Sequence, residues 1–202
     1  TINGLEPRDK GHEIAAGVAR ETGARVQFSD ANLATLPGVE ALMDVARSGF
    51  GDPDIVVNNA VVRSRSPIEY FSVESWELAL AVNLSAPFHT IRMALPAMKA
   101  LGWGRIINMA SIHSYIGSIT RVDYATSKTG ILGMTRAVAM ETIETGITCN
   151  AICPGTVRTE TTEAKVAVLM EEKGLSKVAA EAEFLARSQP ARRFVEPERI
   201  AE

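Results

Sequence analysis

The stretch 104–152 opens with Gly104-Arg-Ile-Ile-Asn-Met109 and closes with Ile147-Thr-Cys-Asn-Ala-Ile152. Both ends are short apolar runs rich in β-branched side chains. Between them, from about Tyr124 to Thr145, hydrophobic residues recur at helical spacing until Gly146 breaks the pattern. A strand, a helix and a second strand in this order form a right-handed crossover between parallel neighbours. Upstream the alternation repeats. Val73 to Met98 reads as a long helix, Asp54 to Val57 as a strand ending at Asn58 and Asn59, Leu36 to Ser48 as a helix, and Arg25 to Phe28 as a strand. Downstream, Pro154 and Gly155 close the last strand, and Glu160 to Arg187 is a charged, Ala-rich helical stretch. Thr1 to Gly4 reads as the tail of a strand and Glu196 to Glu202 as the start of a helix. The expectation is an α/β fold, a Rossmann-like doubly wound parallel sheet with helices on both faces. It is expected as one domain over residues 1–202, with a helical lid over about 160–190. An N-terminal strand-helix and a C-terminal strand are expected to fall outside the sequence.

Composition narrows the function classes. The 202 residues are 46% hydrophobic and 22% charged, with a net charge of -3, enough for one domain with a substantial core. No basic stripe interleaved with aromatics occurs, so a nucleic-acid partner is not expected. Apolar runs such as Asp54 to Val62 are far shorter than the roughly 20 residues a membrane helix needs. Cys149 and Cys153 lack His or Cys partners at zinc spacing, which argues against a metal site and for a reducing cytoplasm. Both read as inert thiols.

Tyr124-Ala-Thr-Ser-Lys128 places a phenol and an ammonium four residues apart, on one helix face, where the positive charge favours the phenolate. Ser111 follows the strand Gly104 to Met109, at the carboxyl end where parallel sheets bind ligands. Taken alone, the Tyr–Lys spacing would equally describe a surface pair. The wider pattern changes that. Asn58-Asn59-Ala60 after a strand, Asn83 within Val-Asn-Leu, Ser111, Tyr124, Lys128, Pro154-Gly155 and Thr159 follow one another in order, and with them the sequence resembles the short-chain dehydrogenase/reductase family.

The resemblance implies a nicotinamide-dependent oxidoreductase interconverting a secondary alcohol and a ketone. It makes Tyr124 the general acid/base, has Ser111 hold the substrate oxygen and Lys128 the nicotinamide ribose, and gives Asn83 a water in a proton relay. Asn32, Asn59, Ala60, Tyr124, Lys128, Pro154, Gly155, Val157 and Thr159 become cofactor contacts. Asn32 stands where many relatives carry an Asp, and Val61 replaces a glycine. The family's glycine-rich phosphate loop does not occur in the sequence. In Asn3-Gly4-Leu5-Glu6-Pro7-Arg8, Glu6 and Arg8 pull cofactor choice in opposite directions; NAD is expected, with NADP possible.

Within the family the sequence is similar to 3-hydroxybutyrate dehydrogenases, which points to a small hydroxy acid as substrate. By that likeness Arg63, His113, Arg121 and Lys165 become substrate contacts, and Thr156 stands where a tryptophan would. Arg63 and Lys165 read equally as solvent-facing cations, and the stretch 160–187 equally as a solvated helix. Relatives pair the helices near Glu74 to Met98 and Ala125 to Met140, which implies a homotetramer. A sugar or polyol dehydrogenase, and a non-catalytic scaffold without cofactor binding, remain the alternatives.

Overall fold

The computed structural model describes residues 1–186, 189 and 191–201; Arg187, Ser188 and Pro190 at the end of the expected lid, and Glu202, lie outside the described residues. The chain forms two compact units, Thr1–Ala151 and Ile152–Glu202.

The first unit alternates β1 (Ile2–Asn3), α1 (Arg8–Thr22), β2 (Phe28–Ser29), α2 (Leu36–Phe50), β3 (Ile55–Asn58), α3 (Val73–Leu80), α4 (Ala86–Leu101), β4 (Gly104–Met109) and α5 (Val122–Glu141), and leads into β5 (Ile147–Ile152). β1 pairs in parallel with β2, and β3 in parallel with β4, which also neighbours β5. The Rossmann-like alternation expected from the sequence is present, as two sheets flanked by helices. A cleft of about 790 Å³ lies along Ile2 and Asn3 of β1 and Ile55 to Asn58 of β3, with Asn59 and Ala60 on its lining. Ile55 and Val57, two apart and so on one face of β3, are exposed, while Val56 between them is buried.

Local sequence explains the boundaries. Thr35 Oγ1 accepts the Gly38 amide and Ser72 Oγ the Ser75 amide, capping α2 and α3. Gly102, at φ 72°, closes α4 in the left-handed conformation. β2 begins at Phe28, where the reading from sequence has the strand end. α5 stops at Glu141, before the expected Thr145, because Thr142 and Thr145 hydroxyls bond back to carbonyls of the preceding turn. The long helix expected over Val73 to Met98 is interrupted: Ala81–Ser85 is a π-helical turn between α3 and α4.

The core packs Met43, Ile91, Ala94 and Met98 from the helices against Val56, Ile106, Ile147 and Cys149 from the strands. A buried polar chain crosses it. Thr90 Oγ1 donates to Asn58 Oδ1 at 2.7 Å, Asn58 Nδ2 to Asn108 Oδ1 at 2.8 Å, and Asn108 Nδ2 to Thr135 Oγ1 at 2.9 Å. Asn58 and Asn108 are register partners on β3 and β4, so the chain fixes strand pairing and ties in α4 and α5. Burial pushes the Cys149 thiol up to about 11, so it behaves as an inert core residue.

In the second unit, α6 (Glu160–Lys173) and α7 (Lys177–Ala186) are separated at Gly174, followed by α8 (Glu198–Ala201). The single helical stretch expected from Glu160 is therefore two helices. Arg158 binds them together: it bonds Glu163, Glu181 at 2.9 Å and Glu196 at 3.0 Å, and its guanidinium lies 4.5 Å from the Phe194 ring centre.

Candidate active site

Three elements of the first unit meet at the carboxyl end of β4. The chain leaves the strand through Ala110 and Ser111, makes a short 3-10 turn at Ile112–Ser114, and returns in α5. The turn is self-capped: the His113 amide donates to Ser111 Oγ at 3.2 Å and the Ser111 amide to Ser114 Oγ at 3.3 Å. Ser114 Oγ donates to the Lys128 carbonyl at 2.8 Å, and Thr129 Oγ1 to the Ser114 carbonyl at 3.3 Å, stitching the turn to α5. Ser111 is buried, and its Oγ accepts from His113, which leaves its O–H to donate elsewhere.

Tyr124 and Lys128 sit one turn apart on α5, as their spacing predicts. Lys128 is 3% exposed, and its ammonium donates to the Met109 carbonyl at the end of β4. Burial, and then the nearby Arg63, bring the Lys128 ammonium down to about 8. Its nitrogen lies 5.8 Å from the centre of the Tyr124 ring. The His113 ring meets the same phenol edge-on at 6.0 Å, and Arg121 Cζ lies 5.5 Å from its centre. Burial foremost, then Arg121, lowers the His113 imidazole below its usual value, so it is neutral at pH 7.

Asn83 lies in the π turn with no exposed surface. Its Oδ1 accepts the Val62 amide at 2.8 Å, while Nδ2 donates to the Val62 carbonyl at 3.0 Å and to Ser127 Oγ at 3.2 Å. The side chain is a clamp joining the segment after β3 to the inner face of α5. That segment is held twice more, by the Ser64 amide on Asp123 Oδ2 at 3.1 Å and the Ser66 amide on the Thr120 carbonyl at 3.2 Å. Val62, Ser64 and Ser66 are half-buried while Val61, Arg63, Arg65 and Pro67 are exposed, the period of two of an extended chain. Arg63 and Arg65 therefore leave on the outer side. The Arg121 guanidinium is lowered from its ordinary value by burial first, and then by Arg65 and Arg63.

The structure thus gathers Ser111, His113, Arg121, Tyr124 and Lys128 at one strand end, with Asn83 bonded to the same helix through Ser127 and Arg63 on the segment that Asn83 holds. Asn59 and Ala60 are exposed at the end of β3. Asn32 is also exposed, its Oδ1 accepting the Ala34 amide at 3.0 Å. Pro154, Gly155, Val157, Thr159 and Lys165 belong to the second unit. There a Cβ on Gly155 would meet Gln189 Oε1 at 2.6 Å, the same oxygen that accepts the Thr156 amide. Val157 bridges Val195 in parallel, Thr159 caps α6, and Lys165 is exposed on that helix.

Two residues escaped the reading from sequence. Arg65 was legible in the alternation Arg63-Ser64-Arg65-Ser66. Asp123 was not: it is fully buried, and its Oδ1 has no hydrogen-bond partner among the described residues. No group of three or more His, Cys, Asp or Glu that could hold a metal occurs among the described residues, and no described helix is long and apolar enough to cross a membrane.

Comparison with known proteins accords with this geometry. The short chain dehydrogenase family model matches residues 5–169. D-beta-hydroxybutyrate dehydrogenase of Cupriavidus necator is 40% identical over 199 residues, covering 98% of this chain and 76% of that protein. The enzyme of the same name from Rhizobium meliloti is 38% identical over 200 residues, covering 99% and 78%. Among solved structures, L-sorbose reductase of Gluconobacter frateurii, complexed with NADPH and L-sorbose, superposes with a TM-score of 0.88 at 29% identity, covering 96% of this chain and 74% of that one.

Proposed function

This chain belongs to the short chain dehydrogenase family, and from that premise we propose that Tyr124, Ser111 and Lys128 carry its chemistry and that a small hydroxy acid is its substrate. It is an NAD(P)-dependent oxidoreductase interconverting a secondary alcohol and a ketone. The observation that carries the substrate reading is Arg121, whose Cζ lies 5.5 Å from the centre of the Tyr124 ring, with the segment that bears Arg63 and Arg65 bonded to Asp123 and Thr120 on either side of it.

The residues fit a nicotinamide cofactor at its ribose end. Lys128 is a buried ammonium with three N–H groups and one hydrogen bond, to Met109, so it retains donors for a diol. When bound, the nicotinamide supplies or accepts the hydride. The protein manages the proton. Ser111 donates its O–H to the substrate oxygen, and the Tyr124 hydroxyl gives a proton to that oxygen in reduction and takes it back in oxidation. Lys128, while charged, favours the phenolate. Asn83 acts as a positioning residue, because its amide holds Val62 and Ser127 and through them the approach of α5; a relay water held by this residue belongs to the same proposal. Asn32, Asn59, Ala60, Pro154, Gly155, Val157 and Thr159 are the proposed remaining cofactor contacts. NAD is proposed over NADP on the likeness of the Asn3-Gly4 turn to that of 3-hydroxybutyrate dehydrogenases; beside that turn Asp30 faces Arg8 at 3.9 Å and Glu6 faces Lys10 at 3.1 Å, so each cation has an acid against it.

His113, Arg121, Arg63 and Lys165 are the proposed contacts to the acid. Replacing the carboxylate by an ester removes the negative charge that Arg121 and Arg63 would pair with, so hydroxy acids should exceed their methyl esters in kcat/KM by roughly tenfold or more. A panel of hydroxy acids, esters and simple secondary alcohols tests this, with Arg63→Ala expected to harm the acid more than the ester. Equal rates for acid and ester would overturn the acid reading in favour of a neutral sugar or polyol, the substrate class suggested by the likeness to L-sorbose reductase.

A homotetramer in the cytoplasm completes the proposal. Leu78, Phe88 and Met140, on the helices that relatives pair, are exposed in the single chain, which supports burial between copies.

A further inference from the structure

We infer that Asp123 is a positioning residue for the reaction, and that its bond to Ser64 holds Tyr124 where the proton is transferred. This rests on the assignment of Tyr124 as general acid/base above.

Tyr124 lies in the first turn of α5, and the first amides of a helix have no partners within it. Helices α2, α3 and α6 secure that turn with the hydroxyls of Thr35, Ser72 and Thr159. α5 has no such cap: Arg121 stands at its N-cap position without a side-chain hydrogen bond. The extended segment after β3 takes over this task. Val62 bonds Asn83 through its amide and carbonyl, the Ser64 amide donates to Asp123 Oδ2 at 3.1 Å, and the Ser66 amide donates to the Thr120 carbonyl at 3.2 Å. Two of these three rungs fall on the four residues that precede Tyr124.

Two features show that contacts distant in sequence, and not local preference, set this turn. Thr120 has φ 60°, a left-handed conformation that is costly for a β-branched residue. Asp123 has no exposed surface, yet its Oδ1 lacks a hydrogen-bond partner among the described residues, so the carboxylate is buried at a cost for the bond its other oxygen makes. Strain of this kind persists where the surroundings over-determine it, and it clusters at functional sites. Asn83 grips the second turn of α5 through Ser127, while Asp123 is the side chain that grips the first. Lys128 is anchored separately, on the Met109 carbonyl. Loss of the Asp123 bond therefore loosens the phenol and leaves the ammonium in place. A displacement of roughly 1 Å in a reacting group can cost about 10² in rate.

The test uses the full chain with NAD and the compound of the panel above that the wild type oxidises fastest. Asp123→Ala should lower kcat by roughly 10- to 100-fold while NADH binds within a few-fold of wild type. Asp123→Asn keeps an oxygen to accept the Ser64 amide and should recover most of the loss. Ser64→Pro removes the donor from the other side, in an extended segment that tolerates proline, and should reproduce the fall in kcat; it decides the matter if Asp123→Ala does not fold. Tyr124→Phe is measured alongside. Full kcat in folded Asp123→Ala or Ser64→Pro, beside a loss in Tyr124→Phe, would overturn this inference alone. So would an Asp123→Asn no better than Asp123→Ala, or NADH binding that falls in step with kcat, the mark of a general structural role. Near wild-type turnover in Tyr124→Phe would overturn the assignment on which the inference rests.

Discussion

Lys128 is held where an ammonium is costly, 3% exposed and with its charge answered by a single carbonyl. Its proton affinity falls from 10.5 to about 8 on folding, so below pH 8 both the native and unfolded chains carry the proton. Between about 8 and 10.5 only the unfolded chain does, and stability from this group rises with pH through that window. Lys128→Met removes the effect. Relative to wild type, the coenzyme-free variant should lose about 3 kcal/mol of stability between pH 7 and pH 10.5, seen as a narrowing or reversal of the difference in denaturation midpoint. A difference that stays constant with pH would show that the ammonium is not buried as described. At this scale the sequence was generous, because a Tyr and a Lys four apart on a helix must share a face whatever surrounds them. Asp123 stayed hidden for the opposite reason. A carboxylate beside Tyr124 in the first turn of a helix looks like a solvated residue favoured by the helix dipole, and only the fold shows that it receives the Ser64 amide in the interior.

Among the elements, β4 and β5 were readable to the residue because apolar runs bounded by glycine and proline have few other uses. The π turn at Ala81–Ser85 was not. Its cause lies in the clamp of Asn83 on Val62 and Ser127, contacts 21 and 44 residues away that no local pattern contains. The polar chain from Thr90 through Asn58 and Asn108 to Thr135 is a second long-range feature; the sequence put Asn58 at a strand end within the Asn58-Asn59-Ala60 motif and did not indicate these partners. Because Asn108 has no exposed surface and bonds both Asn58 and Thr135, Asn108→Ala leaves a buried hydroxyl and a half-buried amide short of a partner. It should destabilise the protein by about 2 to 4 kcal/mol, with a lower chemical denaturation midpoint. A change below about 0.5 kcal/mol would mean that the chain of amides is dispensable to the sheet.

At the scale of the molecule, the −3 net charge hides a local excess of positive charge around Tyr124, since acidic residues concentrate elsewhere, as around Arg158. The alternation of strand and helix patterns gave the α/β fold. It offered no means of placing the segment that bears Arg65 against Asp123 and Thr120. The proposed homotetramer would cover the exposed Leu78, Phe88 and Met140, so light scattering on the complete protein at micromolar concentration should report four copies; a clean monomer would contradict it. The proposed role of Tyr124 is to move the proton at the substrate oxygen, and it is read most directly in turnover by Tyr124→Phe with NAD and a hydroxy acid, beside a titration of NADH binding. The phenyl ring keeps the contacts with His113, Arg121 and Lys128 and removes only the hydroxyl. Turnover should fall by roughly 10² to 10⁴ while NADH binds within a few-fold of wild type. Near wild-type turnover in this variant would contradict the account.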